Sequence, residues 1–122
     1  MKITGIVITH NEEKNIRDCL ESIKWLDEII IVDTRSEDRT LETARQYTQK
    51  IFSIDISNVT EKRKFSLEKA GNEWVLFVDS DERISAELRD EIIGLKTKRD
   101  EEITGYYINR KNYYLGKWIK HC

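Results

Sequence analysis

Residues 3–9 read ITGIVIT, an almost continuous apolar run that is rich in β-branched side chains. Similar runs follow at residues 28–33 (EIIIVD), 51–54 (IFSI) and 74–78 (WVLFV). Continuous runs of this kind predict strands that are buried on both faces, as in a parallel sheet, because a strand with one solvated face alternates apolar and polar residues.

The segments between these runs have the apolar spacing of helices. Ile16, Leu20 and Ile23 fall at positions i, i+4 and i+7, so they share one helical face. Asn58 and Glu61 have the spacing of a capping box, which predicts a helix that begins at the residue after Asn58. Regular alternation of strands and helices predicts an α/β sandwich.

Length and composition narrow the class of protein. The chain has 122 residues and a mass of 14.5 kDa, which predicts one domain over residues 1–122. The chain has 21 Lys and Arg residues and 23 Asp and Glu residues. Because its charge is nearly balanced, no electrostatic argument favours a nucleic-acid partner. No apolar run approaches the ~20 residues of a membrane-spanning helix. Cys19 and Cys122 are too few for a disulfide framework, which predicts free thiols and a cytoplasmic protein.

The polar residues that follow three of the strands are the candidates for a site, because ligands of open parallel sheets bind outside the carboxyl ends of the strands. Asp79 and Asp81 follow the fourth strand, and in an extended backbone both carboxylates would point the same way. Two such oxygen donors suit Mg²⁺ or Mn²⁺ that is already held by a diphosphate. The alternative is a solvated acidic turn that caps the next helix.

The ends of the first two strands allow two interpretations each. Asp33 can accept hydrogen bonds from a base or ribose, or it can form an Asx-turn. Asn11 and Glu12 can reach a bound nucleotide, or they can cap the first helix. The basic residues 62–64 can approach a diphosphate, although a solvated helix face is the default interpretation. No Gly-x-Gly-x-x-Gly or P-loop motif occurs, which disfavours the dinucleotide and P-loop classes.

The last part of the chain differs from the rest. Residues 106–108 predict a strand, and residues 113–119 predict a second strand or a turn. Residues 110–120 mix Lys and Arg with Tyr and Trp, a combination that suits a membrane surface or a sugar. An edge strand without its cover has the same composition, and we favour that interpretation.

Four segments together resemble the family 2 glycosyltransferases with the GT-A fold, and most closely the bacterial branch that builds lipopolysaccharide core and similar envelope glycans. The segments are residues 8–12 (ITHNE), 31–40 (IVDTRSEDRT), 73–83 (EWVLFVDSDER) and 109–119 (NRKNYYLGKWI). The resemblance implies a three-layer α/β/α sandwich with a mostly parallel sheet that is truncated on its C-terminal side. Residues 1–122 would then be the nucleotide-sugar-binding part of the domain.

The resemblance also implies roles for single residues. Asp33 matches the aspartate that recognises the donor base, and Arg63 matches a basic position near the nucleotide. The catalytic base is expected beyond Cys122. Thr34 and Arg35 depart from the family, which often has a second Asp or a Ser followed by Gly, and Lys64 replaces the usual Asn. The implied nucleotide-binding residues are Thr9, Asn11, Glu12, Asp33, Arg63 and Asp79, and the implied ligands of Mg²⁺ or Mn²⁺ are Asp79 and Asp81.

The implied activity is inverting, metal-dependent transfer of a sugar from a nucleotide-diphosphate donor, with a UDP-sugar favoured, to a glycan or glycolipid of the cell envelope. Contact with the inner face of the plasma membrane and a homodimer are further expectations. One alternative is a truncated, non-catalytic nucleotide-binding module that dimerises through its open sheet edge. A second is a phosphohydrolase of the haloacid dehalogenase type, but that class has its Asp-x-Asp after the first strand.

Overall fold

The computed structural model describes residues 2–96, 105–108 and 113–117. Residues 118–119 of the second predicted C-terminal strand lie outside these residues, and so does Cys122, beyond which the catalytic base is expected. The described residues form six strands and four helices. They are β1 (Ile3–Thr9), α1 (Ile16–Ile23), β2 (Glu28–Asp33), α2 (Thr40–Ala44), β3 (Ile51–Ser53), α3 (Val59–Lys69), β4 (Trp74–Phe77), α4 (Ala86–Lys96), β5 (Gly105–Ile108) and β6 (Tyr113–Lys117).

The strands form one sheet in the order β3-β2-β1-β4-β6-β5. Strand β1 pairs in parallel with β2 on one side and with β4 on the other, and β2 pairs in parallel with β3. Strand β6 pairs antiparallel with β4, and β5 pairs antiparallel with β6. The mostly parallel sheet predicted from the apolar runs is therefore confirmed. The interpretation of residues 110–120 as an edge strand without its cover is wrong for the described residues 113–117, because β6 lies between β4 and β5.

Alternate residues of β1 and β2 enter two separate cores. Ile3 and Val7 of β1 pack with α1, α2 and α4 on one face of the sheet, whereas Ile6 belongs to the cluster that contacts α3 on the other face. All three side chains are fully buried. Because both faces of the sheet are covered by helices, the three-layer α/β/α sandwich is confirmed.

The helix signals in the sequence are also confirmed. Ile16, Leu20 and Ile23 are buried on one face of α1. The side chain of Asn58 accepts a hydrogen bond from the backbone N–H of Glu61 at 3.0 Å, which caps the start of α3. In the described part of the chain, no helix combines the length and the hydropathy needed to cross a membrane.

The buried carboxylate of Glu28 links three groups at the amino end of the sheet. The side chain of Glu28, in β2, is 8% exposed and forms an ion pair with Lys50. It accepts hydrogen bonds from the Thr4 hydroxyl at 2.6 Å and from the Gly71 backbone N–H at 2.7 Å. Burial alone would raise the pKa of Glu28, but these donors bring the pKa below its ordinary value.

We expect Glu28→Gln to lower the free energy of unfolding by about 1–3 kcal/mol at neutral pH, because three donors lose a charged acceptor. Because its pKa is lowered in the folded state, Glu28 stabilises the fold at a pH above the pKa that it has in the unfolded chain. This contribution disappears as the pH falls through the pKa that Glu28 has in the folded protein. Urea unfolding of both proteins at several pH values measures the effect. Glu61→Gln, at an exposed position, is the control, and an equal loss in both variants would contradict the prediction.

Candidate functional site

The carboxyl ends of β1, β2 and β4 lie at the same edge of the sheet. Thr9 at the end of β1 is the register partner of Asp33 at the end of β2. The backbone N–H of Val78, just after β4, donates to the carbonyl oxygen of Ile6 at 3.0 Å. The three polar segments that the sequence placed after these strands therefore start from one edge, as predicted.

Asp33 is buried, with 1% of its surface exposed. One carboxylate oxygen accepts the backbone N–H of Ser36 at 2.9 Å, and the other accepts the Ser36 hydroxyl at 2.5 Å. This is the turn that the structural interpretation of Asp33 predicted. The turn fixes the carboxylate at the end of β2, and the recognition of a donor base by Asp33 stays a prediction.

The loop after β1 is hydrogen-bonded to the loop after β2. Asn11 has a positive φ of 50°, in the left-handed region that asparagine tolerates better than most residues. Its backbone N–H donates to the Ser36 hydroxyl at 2.8 Å, and its side-chain oxygen accepts the backbone N–H of Glu37 at 2.7 Å. The backbone N–H of Glu12 donates to the Thr40 hydroxyl at 2.8 Å. Asn11 and Glu12 are therefore held in place by the neighbouring loop.

Thr9 has the one buried side-chain nitrogen or oxygen atom without a hydrogen-bond partner in the part of the chain that the structure describes. The residue is 2% exposed and ends β1. An unpaired buried hydroxyl costs free energy, and a ligand or a water molecule that bonds to it removes that cost. This atom marks the end of β1 as a place where a polar ligand would be stabilised.

A cavity of about 320 Å³ lies beyond the ends of β1, β2 and β3. Apolar and polar side chains both contribute to it, which is the usual character of a small-molecule site. None of the residues implied for nucleotide or metal binding lines this cavity; those residues are Thr9, Asn11, Glu12, Asp33, Arg63, Asp79 and Asp81. The lining residues are His10, Thr34, Arg35, Ile54, Asp55, Ile56, Ser57 and Lys62.

Arg35 lines this cavity with a strained backbone. Its φ of 57° lies in the left-handed region, where a side chain costs about 1–2 kcal/mol. Its guanidinium forms an ion pair with Asp55 at 2.5 Å, and both side chains are 72% exposed. The positive φ gives a physical reason for the glycine that resembling proteins often have at this position.

Lys62, and not Arg63, is the member of the basic cluster 62–64 that lines the cavity. The guanidinium carbon of Arg63 lies 5.3 Å from the ring centroid of Phe77 in β4, a cation–π contact. Lys62, one residue earlier in α3, lines the cavity. The sequence offered residues 62–64 as one cluster, and nothing in it distinguished which member faces the cavity. The nucleotide role of Arg63 stays a prediction.

The backbone at Asp79 and Asp81 is not extended, so the geometric argument from alternating side chains was wrong. Strand β4 ends at Phe77, and the backbone N–H of Glu82 donates to the carbonyl oxygen of Asp79 at 2.9 Å, which closes a turn. The Glu82 carboxylate accepts the backbone N–H of Asp79 at 3.3 Å. The turn forms because Glu82 supplies this acceptor, and the sequence analysis gave Glu82 no role.

The acidic turn, defined as residues 79–82, carries the three carboxylates of Asp79, Asp81 and Glu82. Burial and the charges of Asp79 and Asp81 raise the pKa of Glu82. Burial together with the three carboxylates raises the pKa of the Cys19 thiol to about 12. Within residues 2–95, neither Lys nor Arg forms an ion pair with any of these three carboxylates.

This charge and these hard oxygen donors fit a divalent cation. The described residues contain no group of three or more His, Cys, Asp or Glu side chains placed to hold a metal by themselves. A cation at Asp79 and Asp81 would therefore take its other ligands from phosphate and water, the usual arrangement for Mg²⁺ with a nucleotide.

The mostly parallel sheet with helices on both faces defines an α/β protein, and comparison with known proteins identifies the family. The family model described as Glycosyl transferase family 2 matches residues 4–120. A glycosyltransferase of Rickettsia typhi is 37% identical over 92 residues, which are 75% of this chain and 32% of that protein. The lipopolysaccharide core biosynthesis glycosyltransferase LpsC of Rhizobium meliloti is 29% identical over 121 residues, 95% of this chain and 44% of LpsC.

A solved structure shows the same architecture. TarS of Staphylococcus aureus, a poly(ribitol-phosphate) β-N-acetylglucosaminyltransferase, was crystallised as residues 1–349 with UDP-GlcNAc. It is 26% identical, with a TM-score of 0.65, over 92% of this chain and 42% of that chain. The chain belongs to glycosyltransferase family 2 and has the GT-A fold. It spans about a third of the length of curated relatives such as the glycosyltransferases of Rickettsia typhi and Rickettsia felis.

The strain at Arg35 predicts an unusual order of stabilities. Arg35→Gly should be more stable than Arg35→Ala by about 1 kcal/mol, because both variants lose the ion pair with Asp55 and only glycine adopts the positive φ freely. Urea unfolding of the two variants measures this difference. At Arg17, inside α1, we expect the opposite order, since glycine destabilises a helix. Alanine as the more stable residue at both positions would contradict the strain.

We expect Glu82→Gln to raise the free energy of unfolding at pH 7 by about 0.5 kcal/mol, because it removes one partly solvated charge from the acidic turn. The raised pKa of Glu82 means that the folded state loses stability as the pH rises through that pKa. The gain should therefore vanish in acid, where wild-type Glu82 is protonated. Thermal unfolding from pH 4 to 8 tests this. Glu87→Gln, exposed in the first turn of α4, should give no gain, and a Glu82→Gln variant that is less stable at pH 7 would contradict the prediction.

Proposed function

We propose that this chain is the donor-binding part of a glycosyltransferase that uses a UDP-sugar and a divalent cation. The observation that carries the proposal is the shared carboxyl edge, where β1 brings the buried end of β2 and the acidic turn after β4 to its two sides. The complex of TarS with UDP-GlcNAc supports a uridine nucleotide as the donor for a chain of this similarity.

The described residues supply distinct parts of such a site. The cavity beyond β1, β2 and β3 has the size and mixed polarity for a nucleobase and ribose. Lys62 contributes a positive charge to its wall, and Thr9 offers a hydroxyl without a partner. Asp33, rigidly held by Ser36, is the acceptor that we assign to the base.

Asp79 and Asp81 are the residues that would hold Mg²⁺ or Mn²⁺. When bound, the cation neutralises the charge of the leaving diphosphate as the bond between the sugar and that diphosphate breaks. The acidic turn contributes two carboxylates that form no ion pair with any Lys or Arg of residues 2–95. The cation would also relieve the repulsion that raises the pKa of Glu82.

The acceptor is proposed from the names of the relatives, and the inverting stereochemistry from the family resemblance. LpsC acts in lipopolysaccharide core biosynthesis, and TarS acts on poly(ribitol-phosphate), so we propose a cell-envelope glycan or glycolipid as the acceptor. In the proposed inverting reaction, an acceptor hydroxyl attacks the sugar carbon opposite the diphosphate, a general base takes the hydroxyl proton, and the nucleoside diphosphate leaves. No described residue is assigned as that base. The buried free thiol of Cys19 is compatible with a cytoplasmic location at the inner membrane face.

Calorimetric titration with UDP, with and without Mn²⁺, tests donor binding. We expect Mn²⁺ to tighten UDP binding to the wild-type chain, and we expect Asp79→Asn and Asp81→Asn to remove most of that gain, on the order of 10-fold or more, because each loses a charged oxygen donor. Asp90→Asn, an exposed carboxylate on α4, is the matched control and should behave as the wild type.

Two results would contradict parts of this proposal separately. UDP binding that is equal with and without Mn²⁺ in all four proteins would keep the nucleotide site and remove the metal assignment. Absence of UDP binding by a folded wild-type chain, together with binding of GDP or CMP, would overturn the choice of a uridine donor.

A further inference from the structure

Helix α1 contacts the acidic turn and the segment that follows it from the side. The thiol of Cys19 donates to the carbonyl oxygen of Asp79 at 3.5 Å, a distance within the range of hydrogen bonds to sulfur. The backbone N–H of Ile84 donates to the hydroxyl oxygen of Ser22 at 2.9 Å. Cys19 and Ser22 are three residues apart on α1, so they lie on one helical face. Their two contacts hold the segment 79–84 at both ends.

The orientation of the Ser22 hydroxyl is fixed by a further hydrogen bond. It donates to the carbonyl oxygen of Cys19, within the same helix, at 2.7 Å. Because the one hydroxyl proton is engaged there, the oxygen faces Ile84 as an acceptor. The exposed ion pair between Arg83 and Asp18, at 2.7 Å, adds a third link, although exposed pairs contribute little.

The same helix is anchored to the loop after β1. The backbone N–H groups of Asn15 and Ile16 donate to the carbonyl oxygen of Glu12 at 3.0 Å and 2.8 Å. Four buried side chains pack α1 against the sheet, those of Ile16, Cys19, Leu20 and Ile23. One rigid helix therefore connects the loop that borders the cavity with the turn that carries Asp79 and Asp81.

We propose that Cys19 and Ser22 are positioning residues, which hold the acidic turn so that Asp79 and Asp81 meet a divalent cation bound to the donor diphosphate. This inference rests on the proposed function. Neither residue touches the cation or the nucleotide. Both act through the backbone of residues 79–84, so the loss of either contact should affect the metal-dependent part of donor binding alone.

The decisive experiment uses the full 122-residue chain with Ser22→Ala, which changes no charge. Loss of one neutral hydrogen bond predicts that UDP binding in the presence of Mn²⁺ weakens about 3- to 10-fold. UDP binding measured in EDTA should equal that of the wild type. Amide hydrogen exchange supplies a readout without ligand: the Ile84 amide should exchange about 3- to 10-fold faster, whereas the Val78 amide, bonded to Ile6 within the sheet pairing, should not change.

Thr48→Val is the matched control. The Thr48 hydroxyl makes the same pair of bonds as that of Ser22, since it donates to the carbonyl oxygen of Ile29 at 2.8 Å and accepts the backbone N–H of Lys50 at 3.0 Å. It lies by the start of β3, away from the acidic turn. We expect this variant to change neither Mn²⁺-assisted UDP binding nor the exchange of the Ile84 amide.

The outcomes separate this inference from the proposed function. If UDP binding to the wild-type chain depends on Mn²⁺ and Ser22→Ala binds equally well, the positioning role alone is overturned. Equal weakening with and without Mn²⁺ would also overturn it, because the substitution would then act on the whole fold. If UDP binding to the wild-type chain does not depend on Mn²⁺, both the positioning role and the proposed metal site are overturned. Cys19→Ala, also neutral, serves as the second variant, and its Mn²⁺-assisted binding should weaken in the same range.

Discussion

The parallel pairing of β1 with β2 on one side and with β4 on the other is the constraint on which the rest of the structure depends. Parallel neighbours end at the same edge of a sheet, so every loop that leaves a carboxyl end starts at that edge. Because helices cover both faces, β1 is buried along its length and cannot shift its register without moving its apolar residues between the two cores. The position of the candidate site follows from this one arrangement.

The edge of the sheet combines two chemically different regions. One is the cavity beyond β1, β2 and β3, whose lining includes apolar Ile54 and Ile56 beside the charged Arg35 and Lys62. The other is the acidic turn after β4, where burial and the nearby carboxylates raise the pKa of Glu82. A nucleoside diphosphate has the same division, with an apolar-faced base at one end and a metal-binding diphosphate at the other. The match in chemistry is the physical basis of the proposed donor site.

Among the described residues, backbone strain and the unpaired buried hydroxyl both lie at this edge. Arg35 and Asn11 are the two residues other than glycine with positive φ in the described part of the chain, and both follow carboxyl ends. The unpartnered hydroxyl of Thr9 is at the same edge. At the amino end, by contrast, Glu28 has three donors. Strained and unsatisfied groups are stable features of a fold when ligand binding uses them.

The sequence predicted the strands and helices better than the loops between them. The apolar runs located β1 and β2 with the bounds that the structure has, because burial on both faces leaves a strong local signal. The turn at Asp79 was only the alternative interpretation, because it depends on a carboxylate three residues later and on contacts from α1, sixty residues earlier in the chain. The choice between Lys62 and Arg63 likewise depends on Phe77, in another strand. Such tertiary contacts have no signature within a local window of sequence.

An NMR titration of the ¹⁵N-labelled chain with UDP and Mg²⁺ tests the central claim most directly, because it reports where on the sheet the ligand binds. The account predicts that the amide shifts change at residues 9–12, 33–36 and 79–82, at the carboxyl edge, and that the amides around Glu28 and Gly71 do not move. Saturable shift changes confined to the amino edge, or changes at residues 9–12 and 33–36 that leave residues 79–82 unaffected by Mg²⁺, would contradict it.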